Sequence, residues 1–340
     1  MNRREWLQRV AAYGAALGSA PAWAQGSTQG PAQGSRAAKA FRYVHLDVFT
    51  DRRLAGNQLH VYVNPEGLDA DAMTRLTRES NFSENTFVFP PEQPGTDVRV
   101  RIFGQSGEMP FAGHPTIGTA FALAHVGRIK PRTPSMVFGL GTGPTPIDLD
   151  WKGSDLAFAW MTQLKPTFGK STTDAAGVAA ALNLQAADIA VAHAPAAQDV
   201  STGSSYIIVP LSSRKAVDAA VVDPLKLRPL RAAHGLNGFA VYAFTTEAGA
   251  DGATSYSRLV PPPGIREDPA TGSAAGPAGC FMVKYGFVAA GKATSIVNVQ
   301  GVLVKRPSRI HVKVDSTSGE ITQVKVGGAS VVVGEGTATV

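Results

Sequence analysis

Apolar and polar residues alternate with a period of two along most of this chain, and only two long stretches are apolar on every side. Val44, Leu46 and Val48 alternate with polar partners, and so do Leu59, Val61 and Val63. Each set predicts a half-buried strand, with a tight turn between them at Gly56-Asn57. Asp69 is placed to cap a helix carrying Ala72, Met73 and Leu76. Thr86-Phe87-Val88-Phe89 and residues 98–102 read as further strands. The period then changes: a helix is expected over 115–125, preceded by Gly113-His114 and closed by Gly127.

The order then repeats. Strands are expected at 136–138, 145–150 and 155–161, an alanine-rich helix at 173–182 and a strand at 206–211. Residues 214–234 read as mostly helical, interrupted by Pro224 and Pro229. Strands at 239–244 and 256–260 follow. A second glycine-rich start, Thr271-Gly272-Ser273-Ala274, opens a helix to about residue 285. The C-terminus alternates strongly (Ile310, Val312, Val314; Val324, Val326; Val331, Val333), as hairpins do.

Helices are too few between strands for a doubly wound parallel sheet. The pattern is α+β, with two curved sheets and one long helix against each. The halves also rhyme: Gly113-His114-Pro115-Thr116-Ile117-Gly118-Thr119-Ala120 has a counterpart in Asp268-Pro269-Ala270-Thr271-Gly272-Ser273-Ala274-Ala275. This predicts an internal duplication with a cleft between copies. The expected domains are 41–150 and 151–340, with the last strands free to return to the first domain.

Composition changes little in this picture. The 340 residues are 44% hydrophobic and 17% charged, and 36 glycines and 23 prolines suit a turn-rich body. The net charge of +6 is spread thinly, with no Lys/Arg block, so a nucleic-acid partner is not expected. The first residues read differently. Arg3-Arg4 precede a short apolar run at 10–20, which ends at the small-x-small site Ala22-Trp23-Ala24. This predicts a twin-arginine signal peptide at 1–24, a flexible linker at 25–40 and a periplasmic location, with no membrane contact beyond export. Cys280 is the single cysteine, so no intrachain disulfide can form, and its apolar surroundings predict a core position. The seven histidines show no paired metal-ligand spacing, so no metal is expected.

The chemistry concentrates in three places. Two glycine-rich helix starts offer backbone N–H groups that could clamp a substrate carboxylate, or could serve only close packing. His114, at one of them, is expected to be neutral because of the helix dipole. Asp268 either caps its helix or faces the cleft, and Ser273 either donates to a carboxylate or caps locally. Glu84, in Asn81-Phe82-Ser83-Glu84-Asn85-Thr86, is either a solvent-facing loop residue or a partly desolvated general base. Gly139-Leu140-Gly141-Thr142-Gly143 precedes a strand and not a helix, which excludes a dinucleotide loop.

Together these segments resemble the PhzF family of phenazine-biosynthesis-like isomerases. The resemblance rests on Asp47-Val48-Phe49-Thr50 with Gly56-Asn57, and on Ser83-Glu84-Asn85-Thr86-Phe87-Val88. It rests further on Glu108-Met109-Pro110-Phe111-Ala112-Gly113-His114-Pro115-Thr116 and Glu267-Asp268-Pro269-Ala270-Thr271-Gly272-Ser273-Ala274-Ala275-Gly276. It implies a diaminopimelate-epimerase-like fold: two pseudo-symmetric domains, each a barrel-like β-sheet around a central helix. It also implies a homodimer and a cofactor-independent isomerase acting on a small carboxylic substrate. Glu84, His114 and Asp268 would be catalytic, and Asn57, Gly113, Gly272 and Ser273 would bind substrate. Related racemases use cysteines at the two helix starts; here those positions read Ala112-Gly113-His114 and Thr271-Gly272-Ser273, which excludes that mechanism. Asn85, Phe103-Gly104-Gln105 and Leu259-Val260-Pro261 depart from the family's usual runs and are expected to flank the cleft. An epimerase or dehydratase on the same fold, and a catalytically silent binding protein, are the alternatives.

Overall fold

Strand β1 (Ala40–Val48) realises the first alternation, burying Val44, Leu46 and Val48 completely. The computed structural model describes residues 39–340; the expected leader at 1–24, and the linker at 25–40 apart from its last two residues, lie outside the described residues. β1 is followed by β2 (Asn57–Tyr62), helix α1 (Ala70–Ser80), β3 (Glu84–Phe89), β4 (Val98–Gly104) and the short β5 (Gly107–Met109). Helix α2 (Gly113–His125) precedes β6 (Ser135–Leu140), β7 (Gly143–Lys152) and β8 (Asp155–Gln163). The second half opens with β9 (Thr167–Thr172), α3 (Ala175–Ala181), β10 (Ala197–Ser201) and β11 (Ser205–Pro210). It continues with α4 (Arg214–Ala219), α5 (Pro224–His234), β12 (Val241–Thr245) and β13 (Ser255–Val260). Helix α6 (Gly272–Lys284) and strands β14 (Ile296–Gln300), β15 (Ser308–Thr317), β16 (Glu320–Gly328) and β17 (Ser330–Thr339) complete the order.

The 17 strands form one hydrogen-bonded run. From β17 it passes through β1, β2, β3, β4, β6 and β7 to β8, and this stretch surrounds α2. It crosses from β8 to β16, with Met161 opposite Val326, and returns through β15, β14, β13, β12, β11 and β10 to β9 around α6. The two curved sheets expected from the sequence are therefore joined edge to edge. Residue 150 lies inside β7, and the last strand pairs with the first, Ser330 opposite Val48.

Each central helix is enclosed. Every residue of α2 from Gly113 to Leu123 is buried, as is every residue of α6 from Gly272 to Met282. A helix enclosed on all sides has no solvent-facing polar stripe, and small residues make up most of both sequences. Gly118 shows why small residues matter: a Cβ there would lie 2.5 Å from Leu59 Cδ2. Cys280 is fully buried in this core, and burial pushes its thiol up to about 12, so it packs and does not react.

Three local expectations change. Pro229 does not interrupt a helix but lies inside α5, which begins at Pro224. The lost N–H would have reached back to Leu225, which is exposed and leaves its carbonyl to water. Phe239 is not in a strand: it stands in the loop before β12 and is 75% exposed. β9 has a largely polar, exposed sequence without alternation and was not foreseen. Among the described residues, no helix is long and apolar enough to cross a membrane.

Candidate active site

The starts of α2 and α6 meet at the centre of the molecule. A Cβ on Gly113 would lie 2.5 Å from Ser273 N and 2.6 Å from Gly272 Cα, so only glycine permits this approach. The N-cap residues, Ala112 and Thr271, make no side-chain cap, and neither first turn carries an acidic residue. The first N–H groups of both helices are thus open to an anionic ligand.

Glu84 begins β3 beside these starts. Its side chain is 17% exposed, and its Oε2 is buried without a hydrogen-bond partner, 3.6 Å from His114 Nδ1. Burial, reinforced by the nearby charge of Asp268, pushes the Glu84 carboxyl up to about 8. Asp268 is treated differently. Its Oδ1 accepts from Asn57 Nδ2 (2.7 Å) and Ser83 Oγ (2.8 Å), and its Oδ2 accepts from Thr271 Oγ1 (2.7 Å). Burial raises the Asp268 carboxyl, but these donors favour its ionised form. Of the two carboxyls, the one without donors keeps the proton longer, and that is Glu84.

The His114 ring is neutral, and its Nδ1 lies 3.0 Å from Asn57 Nδ2, whose two N–H groups are shared with Asp268 Oδ1 and the Ala270 carbonyl. Its pKa falls to about 3, chiefly through burial, with the backbone of Gln58 opposing. Neutrality was expected from the helix dipole; desolvation is the larger cause. Asp268 does not cap α6, since Thr271 is the N-cap and Asp268 bonds its hydroxyl.

Asn57 is 2% exposed and does not line the cavity. Its amide donates instead to Asp268 Oδ1 and to the Ala270 carbonyl at 3.0 Å, tying the two halves together behind the wall. The turn that delivers it is pinned. Asp47 pairs with Arg306, whose guanidinium also donates to the carbonyls of Gly56 and Ala55, both at 2.8 Å. Gly56, at φ +62°, passes so near Val48 that a Cβ would lie 2.2 Å from its carbonyl oxygen. On the other side, the Glu267–Arg258 pair is buried, and Arg258 satisfies the carbonyls of Val217, Asp218 and Ala220. Breaking such a pair would leave an unpaired buried charge next to Asp268.

A cavity of about 370 Å³ is lined by Glu84, Gly113, His114, Asp268, Gly272 and Ser273, with Tyr206, Phe239 and Leu259 further out. Tyr206 and Gln300 were missed from the sequence. Tyr206 OH lies 2.7 Å from Ser273 Oγ, and burial raises its pKa, so it stays a neutral partner that can free the Ser273 proton for a ligand. Gln300 accepts from Thr271 N at 3.0 Å and donates to the Asp268 carbonyl at 2.9 Å, fixing the loop. Both lie in largely apolar strands, and no local pattern marks them. Among the three departures from the family runs, Gln105 and Leu259 line the cavity. Asn85 does not: it is fully buried and its amide donates to Ser80 Oγ and the Leu76 carbonyl on α1.

One ligand atom from each of Glu84, His114 and Asp268 lies within 4.8 Å of the other two, a spacing that a cation could bridge. The donor set argues against one: both Asp268 oxygens already receive N–H or O–H donors. A metal would have to displace all of these.

The fold and cavity define an isomerase or epimerase class, in which two helix starts face one cleft. The chain belongs to the phenazine biosynthesis-like (PhzF) family, whose pattern matches residues 46–336, and it is an isomerase-type enzyme. It is 33% identical over 298 residues to a trans-2,3-dihydro-3-hydroxyanthranilate isomerase of Pseudomonas aeruginosa, covering 87% of this chain and 99% of that one. A solved structure described as a predicted epimerase, also from Pseudomonas aeruginosa, is 34% identical with a TM-score of 0.72, covering 87% of this chain and 98% of its own. A hydroxyproline epimerase from Agrobacterium vitis shares the fold, with a TM-score of 0.59 at 13% identity, covering 88% of this chain and 93% of its own.

Proposed function

We propose that this protein moves a proton between two carbons of a small carboxylic substrate, with Glu84 taking and returning it. The observation that carries the reading is Glu84 itself: a carboxyl on the cavity wall, without a donor on Oε2, pushed up to about 8. Such a group is balanced between base and acid near neutrality, as a proton shuttle requires. The open N–H groups at the starts of α2 and α6 receive the substrate carboxylate, and Ser273 adds a hydroxyl. Asp268, held by Asn57, Ser83 and Thr271, orients polar groups of the substrate. His114 stays neutral, so the proton on Glu84 has no nearby cation to leave it for.

Trans-2,3-dihydro-3-hydroxyanthranilate is the first substrate to test, with a panel of small amino and hydroxy acids beside it. Incubation in deuterated water should place deuterium on a substrate carbon, read by NMR. Binding without any exchange at carbon would sink the proposal and favour a silent binding protein. Because Glu84 must be ionised to remove the first proton, kcat/KM should rise with pH to a plateau, with its midpoint near about 8. A flat profile from pH 6 to about 9 would count against this role.

The place of action is part of the same proposal. Arg3-Arg4, the apolar run and Ala22-Trp23-Ala24 support twin-arginine export to the periplasm. Replacing Arg3 and Arg4 together by lysine should leave unprocessed protein in the cytoplasm, as fractionation would show. Unchanged export would reject the route. Assembly as a homodimer is proposed on the family resemblance.

A further inference from the structure

A second cavity, of about 420 Å³, lies behind the loops that carry the catalytic groups and shares no lining residue with the first. Its walls are largely apolar, formed by Phe49, Ala55, Phe158, Val299, Val302 and Pro307. Arg52 and Arg309 stand at its edge with Asp51 and Asp251. Asp251 is already held at two points by Arg214, at 2.7 and 2.9 Å. Arg309 gives one N–H to the Asp251 carbonyl at 3.1 Å, and among the described residues no carboxylate pairs with Arg309 or Arg52. His311 adds an imidazole edge-on to Phe158 at 5.1 Å, its pKa lowered first by burial and then by Arg309 and Lys313. Two arginines with no carboxylate at ion-pair distance among the described residues, over an apolar floor, suit a small anion with an apolar body.

The wall shared with the active site is Phe49. This residue is fully buried yet has a φ of +63°, a region that bulky side chains rarely enter. Its ring presses on the start of α6: a Cβ on Gly272 would lie 2.7 Å from Phe49 Cζ. Its carbonyl accepts from Arg309 N at 2.8 Å. Two further links reach the catalytic loops. Pro307 O accepts from Gly56 N at 3.1 Å, one residue before Asn57. Ser308 Oγ donates to Pro269 O at 3.1 Å, one residue after Asp268.

We propose that this second cavity binds a small aromatic carboxylate, and that its occupancy tightens the start of α6 through Phe49. Local backbone strain of this kind belongs where a segment is biased by a ligand. The site is separate from the one that holds substrate, and its binding can be read without any turnover.

The test uses 4-fluorobenzoate, titrated into the full-length protein and followed by fluorine NMR. The wild type should bind it at millimolar concentration or better. Arg309→Glu, an exposed position, should weaken binding by about tenfold or more, because it reverses the attracting charge. Glu84→Gln, which does not line this cavity, should leave affinity within about twofold. Hydrogen exchange at residues 272–275 should slow on saturation in the wild type and not in Phe49→Leu. Absence of binding up to about 10 mM, or equal binding by wild type and Arg309→Glu, would overturn the site. Unchanged exchange at residues 272–275 would overturn the coupling.

Discussion

Glu84→Gln should lose turnover by about a thousandfold or more while becoming more stable than the wild type at pH 8. The first effect follows from removing the carboxyl on the cavity wall whose Oε2 has no hydrogen-bond partner. The second follows from its raised pKa. In the unfolded chain the carboxyl ionises near 4.5, and in the folded protein near 8. Between these values the unfolded state gives up a proton that the folded state keeps, so wild-type stability falls as pH rises. Glutamine carries no such proton. The two proteins should be alike below about pH 4.5 and diverge by on the order of 2–4 kcal/mol by pH 8. Urea titrations at both pH values would show this; parallel pH dependences would reject the burial argument.

Gly113→Ala should cost about 3 kcal/mol or more and reduce activity further than stability alone explains. The added methyl would lie 2.5–2.6 Å from Ser273 N and Gly272 Cα, both backbone atoms that cannot swing aside. The helix starts must separate, and N–H groups displaced by about 1 Å cost roughly a hundredfold in rate. Gly334→Ala is the matched control, because a Cβ there meets nothing within 4 Å. Thermal unfolding of both variants decides the point. If Gly113→Ala melted with the control, the close approach of the helices would be wrong.

Much of this architecture is written locally. Alternation at 44–48 and 310–314 marks β1 and β15, and the glycine-rich runs mark the starts of α2 and α6. Glu84, His114 and Asp268 could be picked out because they sit in short specific strings. What the strings did not reveal is who restrains whom. Asn57 reads as a turn residue, yet its amide reaches Asp268, 211 positions away. Tyr206 reads as core, yet its hydroxyl meets Ser273, 67 positions on. Such pairs depend on the closure of the whole sheet, and no window of sequence contains both members. The strands β9 and β10 were hard to see for a related reason: β9 is mostly polar, and β10, Ala197–Ser201, is buried at four of its five positions without alternating. Their place is set by pairing with neighbours and not by a two-sided environment.

The pairing of the last strand with the first sets a condition on when the molecule can be born. Ala40 lies opposite Thr339, so the edge of β1 stays open until a strand about 290 residues further along has been made. Closing a loop of that length costs about 5 kcal/mol of chain entropy, recovered only when β17 docks. Until then α2 has an incomplete wall and β1 offers a bare edge to any passing strand. Folding of this enzyme accordingly waits on strand β17.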